Sequence, residues 1–145
     1  MYGTGNYKME VKLIKGGLHL DQRGIVSFVN DFDFKGVDRF YTIKAHKVGE
    51  PRGWIGHKRE HKWFTALAGT LIVAVVAPDN WENPSKNLPV QHFTLSALKP
   101  AILHVPPGHA TSSTMLTEDA LLGIFSSGKI ENAAEDDWRF DIKIW

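Results

Sequence analysis

The sequence predicts an all-β protein, a sandwich or barrel of short antiparallel strands. Three observations lead there: apolar residues recur at a period of two, turn signals separate nearly every apolar run, and helical periodicity is almost absent. The alternation is plainest where Phe140, Ile142 and Ile144 interleave with Arg139, Asp141 and Lys143, which would place apolar groups on one face of a strand. Leu71 to Val76 is continuously apolar and rich in β-branched residues, as in a strand buried on both faces, and Ala68-Gly69 before it reads as a turn.

Taken in order, further strands are expected at 9–14, 25–29, 39–45, 62–67, 90–95, 101–105, 111–116 and 120–125. Between them fall Gly16-Gly17, the stretch from Asp21 to Gly24, Lys35-Gly36, the stretch from Gly49 to Gly53, the stretch from Pro78 to Asn80, Lys99-Pro100, Pro106-Pro107-Gly108 and Ser127-Gly128. These are residues that supply positive φ, fix φ, or bond their own backbone. Trp81 to Leu88, with its Asn-Pro, reads as a longer surface loop, and one short helix is expected around Glu131 to Asp137. No repeat, low-complexity tract or linker divides the 145 residues, so a single domain over 1–145 is expected.

Composition narrows the function. The apolar share of 43% and charged share of 23% are those of an ordinary globular domain. A net charge of +1 gives no field to attract nucleic acid or an anionic membrane. With no cysteine, disulfides, thiolate metal sites and a cysteine nucleophile are excluded. No apolar run approaches the ~20 residues that span a bilayer, and Met1 to Lys15 lacks a signal-peptide core. A soluble cytoplasmic protein is the expectation. Gly3-Thr-Gly5 is no phosphate loop, since it lacks the Gly-Lys-Ser/Thr ending and no strand precedes it.

Two stretches carry a family resemblance. One is Arg52-Gly53-Trp54-Ile55-Gly56-His57-Lys58, leading to Lys62 and Gly69. The other is Phe93-Thr94-Leu95-Ser96-Ala97 followed by Leu103-His104-Val105-Pro106-Pro107-Gly108-His109-Ala110. With Asp21-Gln22-Arg23-Gly24, these resemble the dTDP-4-dehydrorhamnose 3,5-epimerases and, less closely, the related sugar-nucleotide ketoisomerases. The resemblance extends from about Asp21 to Asp141. It implies a cupin-type jelly-roll barrel, a homodimer whose N-terminal strands exchange between subunits, and a nucleotide-linked 4-keto-6-deoxysugar as ligand. It also implies a place in deoxysugar and cell-surface polysaccharide biosynthesis, with no cofactor.

A metal cupin is not expected. Laid on the cupin metal motifs from Gly53, Gly69 and Gly108, the four ligand positions become Ile55, His57, Lys62 and Thr111. One ligand survives and one position carries a cation, whereas a divalent ion needs about three protein ligands even at an open site. His57 and His61 share a helical spacing in a region that reads as turn and strand, and Glu60 between them would alternate to the other face. His61 reads as a solvated residue before a strand.

Inverting a carbon beside a ketone requires a base, a donor for the enolate oxygen and a returning acid. The resemblance places a histidine base where this chain has Ile55, a second histidine at Thr111, and an acidic tyrosine near Phe125 or Ser126. None of these can do that work. It also places Arg52 and Arg23 against the diphosphate, which a planar guanidinium grips bidentately, and Lys62 against the sugar. The ketoisomerase pairing of histidines leaves only His57, making it the first candidate for a base, with His109 at the Pro-Pro-Gly turn next. For His57 and Lys62 both to face inward, a bend must fall between Lys58 and His61. Arg39 and Tyr41 precede the Arg52 motif as candidate substrate-binding residues, and Trp54 and Trp63 are either stacking or core residues. Asp136-Asp137-Trp138 and Asp141 resemble the family's C-terminal aspartate segment; with no histidine at position 55 for such an aspartate to orient, a structural role or none is expected.

Three readings stay open: an epimerase or isomerase with an altered base, using His57, Lys62 and His109; a sugar-nucleotide binding barrel without proton chemistry; and an accessory cupin whose pocket is vestigial.

Overall fold

The computed structural model describes residues 9–145; Gly3-Thr-Gly5 lies outside them. The strands are β1 (Lys12–Lys15), β2 (Gly17–Asp21), β3 (Gly24–Phe28), β4 (Arg39–Ile43), β5 (Arg52–His57), β6 (Lys62–Ala68) and β7 (Thr70–Val76). They continue with β8 (Gln91–Ser96), β9 (Ala101–Val105), β10 (His109–Met115), β11 (Leu121–Ser126) and β12 (Trp138–Arg139). A 3-10 turn, Ile130–Asp136, is the expected short helix. Two five-stranded antiparallel sheets face each other, in the orders β1-β9-β6-β11-β4 and β12-β5-β10-β7-β8, while among the described residues β2 and β3 pair only with one another.

The core lies between the sheets. Phe64, Leu71, Val73, Val75, Leu95, Leu103, Val105, Met115, Leu122 and Ile124 are buried there, and the area they hide from water is the main stabilising term. β7 is buried on its other face too, as its continuous apolar run requires. Ala74 and Val76 join Trp54 and Ala110 in a second cluster, covered by Phe140, Ile142, Ile144 and Trp145.

That cover corrects one expectation. The segment after Arg139 keeps alternating apolar contacts but is not a strand. Asp141 accepts from the Lys143 amide at 2.9 Å and its carbonyl takes the Ile144 amide at 3.0 Å, which turns the chain away from a ladder. Two strands arise where glycine suggested only turns. Gly17 opens β2, with the β2–β3 turn closed by Asp21 accepting from the Arg23 amide at 2.8 Å. β5 runs straight through Gly53 and Gly56.

Glycine is required at Gly53 by contact as well as by φ, +130°: a Cβ there would lie 2.6 Å from the Thr111 carbonyl oxygen. Opposite it the β5–β10 register shifts, so that Thr111 faces Ile55 but Ser112 faces Gly53, with Trp54 left over as the extra residue of a bulge. The bulge resets the alternation of β5.

Candidate active site

A cavity of about 240 Å³ opens between the two sheets. Its depths are apolar, with Ile43, Phe64, Leu122 and Ile124, and above them stand Arg39, Tyr41, Ile55, His57, Lys62 and Thr111. Exposed Arg52, Asp137 and Arg139 form the rim, and Ala133 of the 3-10 turn closes one side. Arg39, Arg52, Lys62 and Arg139 against Asp137 and the buried Glu60 leave an excess of two positive charges, suited to an anion.

Each polar side chain arrives by a traceable route. The Trp54 bulge brings Arg52 to the same side as Ile55 and His57, which strict alternation would forbid. The bend expected before Lys62 is present, since 58–61 leave the strand. A buried carboxylate holds it open: Asp136 accepts from the amides of Lys58 at 2.7 Å and of Arg59 and Glu60 at 2.9 Å each. The aspartate segment is therefore structural, but its reach is greater than that. The Asp136 carbonyl oxygen lies 2.7 Å from His57 Nδ1. A carbonyl only accepts, so Nδ1 carries the hydrogen and Nε2 keeps its lone pair. Burial, reinforced by the charge of Lys62, holds the His57 pKa below the ordinary histidine value. The result is a neutral imidazole with one basic nitrogen.

Beside it lies a buried charge network. Glu60 Oε2 sits 3.0 Å from Lys62 Nζ, 3.2 Å from an Arg39 terminal nitrogen and 4.0 Å from His57 Nδ1. Lys62 Nζ also donates to Ser126 Oγ at 2.9 Å and to Tyr41 Oη at 3.2 Å. Alternation put Glu60 on the far face; the bend turns it inward. A Glu-x-Lys pair of opposite charges next to an obligatory bend was the available signal. Ser126, at the position compared with the family tyrosine, is fully buried within this network.

Five of the expected site residues, Arg39, Tyr41, Arg52, His57 and Lys62, share the cavity. Two do not. His109 borders a separate depression with Met9, Glu10, Val11 and Gln91, its Nδ1 2.9 Å from the Pro106 carbonyl. Arg23 stands at the hairpin tip, bound to Asp21 at 2.7 Å with 85% of its side chain exposed. Trp54 and Trp63 are core residues. His61 is half-buried rather than solvated: it meets His104 at 2.9 Å and stacks on Trp63, and burial pushes the His104 pKa down to about 4. It faces away from His57, so the two share no site. Among the described residues, no three His, Asp or Glu side chains group as metal ligands.

Solved structures with this fold are numerous. A sugar 3,4-ketoisomerase from Thermoanaerobacterium thermosaccharolyticum in complex with TDP is 21% identical, with a TM-score of 0.67 over 88% of this chain and 85% of that one. A dTDP-4-dehydrorhamnose 3,5-epimerase from Bacillus anthracis, with TDP and PPi bound, is 18% identical, with a TM-score of 0.72 over 88% and 77%. The fold is that of the sugar-nucleotide epimerase cupins. A 3'-monoepimerase variant from Streptomyces bikiniensis in complex with dTDP has the same cupin fold, at 17% identity and a TM-score of 0.70 over 91% and 69%. No family model matches the chain, and no curated protein matches it in sequence. Identities this low establish the cupin barrel and leave the chemistry to the residues of this cavity.

Proposed function

We propose that the cavity binds a nucleotide-linked 4-keto-6-deoxysugar and isomerises or epimerises it by proton transfer, with His57 as the base. One observation carries this reading: the Asp136 carbonyl fixes a neutral His57 tautomer whose free nitrogen lies in a cation-rich cavity. The C–H beside a ketone is acidic only if the departing electron pair is stabilised, and Arg39 and Lys62 supply the field. Arg52 at the rim suits the diphosphate, and the cavity volume suits the sugar ring. The solved relatives that carry TDP or dTDP support the choice of ligand class.

The test is proton NMR of the protein with dTDP-4-keto-6-deoxyglucose in deuterium oxide. Loss of the signals flanking the ketone, faster than in buffer and abolished by His57→Asn, is the expected outcome. A second reading, a binding barrel without turnover, is favoured by Ile55 and Thr111, neither of which exchanges protons with carbon. Binding that free dTDP displaces, with no exchange, would select it.

The assembly proposed is a homodimer. β2 and β3 form a ribbon outside both sheets, with Leu18, Leu20, Ile25, Val26 and Phe28 exposed. A lone two-stranded ribbon is marginal in water, and a second copy of the chain would cover it. Arg23 at its tip would then have a partner's cavity within reach rather than its own.

A further inference from the structure

The network beside His57 gathers two cations on one carboxylate oxygen. Glu60 Oε2 meets Lys62 Nζ at 3.0 Å and an Arg39 terminal nitrogen at 3.2 Å, and Ser126 Oγ donates to it at 3.2 Å. Cations beside an imidazole work against it as a base, because each proton it accepts adds a further positive charge to a buried place. Burial and then the charge of Lys62 weaken the hold of His57 on a proton; the Asp136 carbonyl and then the charge of Glu60 oppose them. The Asp136 carboxylate is already engaged by three backbone amides. Glu60 is buried and lies 4.0 Å from His57 Nδ1, too far for a hydrogen bond, so it acts on the ring by charge and not by fixing its hydrogen.

We propose that Glu60 is the counter-charge to a protonated His57. Its catalytic meaning rests on the keto-sugar reading above. His57 Nε2 forms an N–H bond as the C–H bond beside the ketone breaks. The pair left on carbon closes the C=C bond of an enolate, and the carbonyl π pair moves to oxygen. The imidazolium then carries hydrogen on both nitrogens, and its charge reaches Nδ1, on the Glu60 side. Solvent exchange follows when the imidazolium swaps that proton for a deuteron and the step runs backwards. Glu60 touches no reacting atom and is a positioning residue. The other charged groups around His57 do not fill this place. Arg52 and Arg139 are cations, and Asp137 is exposed at the rim, 3.2 Å from Arg139. Lys58 Nζ lies over the Trp138 ring, 4.0 Å from its centroid, and His109, paired with His57 across the ladder, turns to the Pro106 carbonyl.

The test is a histidine titration. Ring-labelled histidine gives signals from the seven histidines, His57→Asn identifies one, and its midpoint is read without any ligand. Glu60→Gln keeps the size of the side chain and an acceptor but removes the charge, so the His57 midpoint should move to lower pH. Lys62→Met should move it to higher pH. An unmoved midpoint in Glu60→Gln overturns the proposal. If that variant does not fold, Lys62→Met is compared with Lys62→Met carrying Glu60→Gln, which removes one charge of each sign. A lower midpoint in the double variant upholds the proposal, and an equal one overturns it. With dTDP-4-keto-6-deoxyglucose in deuterium oxide, exchange beside the ketone should be about 10- to 100-fold slower in Glu60→Gln, the effect of removing a charge about 4 Å from the base. Exchange at the wild-type rate overturns the catalytic role. No exchange in the wild type fails the keto-sugar reading alone, and the midpoint then still decides whether Glu60 is the counter-charge.

Discussion

At the scale of single residues, His57 is defined by what its other nitrogen does. Because burial and Lys62 lower its pKa, the imidazole stays unprotonated below the ordinary histidine range. The exchange rate should accordingly be flat on the alkaline side of the usual histidine pKa of about 6.5. It should fall only in more acidic solution, as protonation blocks Nε2. A pH profile of the NMR exchange rate checks this; a limb centred at or above the usual value would contradict a buried base. His57, Arg39, Tyr41, Arg52 and Lys62 were legible in the sequence because motif spacing and position before the motif carry them. Glu60 and Ser126 were not, since their directions depend on a bend and a packing environment that alternation cannot describe. His109 was misplaced for another reason: it pairs with His57 at the very start of β10, and there its ring turns to the Pro106 carbonyl and borders a different depression.

At the scale of elements, the most consequential link is between the 3-10 turn and the bend at 58–61. One buried Asp136 carboxylate satisfies three amides of the bend, that of buried Glu60 and those of the more exposed Lys58 and Arg59. Asp136→Ala should destabilise the fold by about 2 kcal/mol, the cost of one buried amide left without a partner, read as a shift in the urea midpoint at constant slope. Asp136→Asn, which keeps an acceptor, should lose less. The strands with clear alternation or continuous β-branched character were foreseeable, and β6, β7, β9, β10 and β11 appear where periodicity placed them. β2 and β5 hid behind glycines, which signal turns locally but here serve a hairpin entry and a bulge. The Phe140 to Ile144 run shows the converse. Its alternation reports burial against Trp54 and Val76, and burial alone does not make a strand.

At the scale of the whole molecule, two sheets with a cavity between them follow from alternation plus turns, but the separation of the β2–β3 ribbon does not. Its apolar residues look like ordinary strand residues in sequence, and only the absence of a sheet beneath them gives them another meaning. If the ribbon is the dimer contact, Leu20→Asp with Ile25→Asp should convert the assembly to monomers in sedimentation equilibrium, with the barrel's circular dichroism unchanged. If Arg23 then serves a neighbour's cavity, the same variant should also weaken dTDP binding, whereas a dimer contact remote from the site would leave affinity intact.

The segment Ile130–Asp136 does two jobs with one short stretch of chain. Ala133 walls the cavity, and Asp136 both braces the bend and fixes the hydrogen on His57. The wall of the cavity and the choice of imidazole tautomer thus depend on one stretch of chain, and an insertion or deletion between Ala133 and Asp136 would disturb both at once.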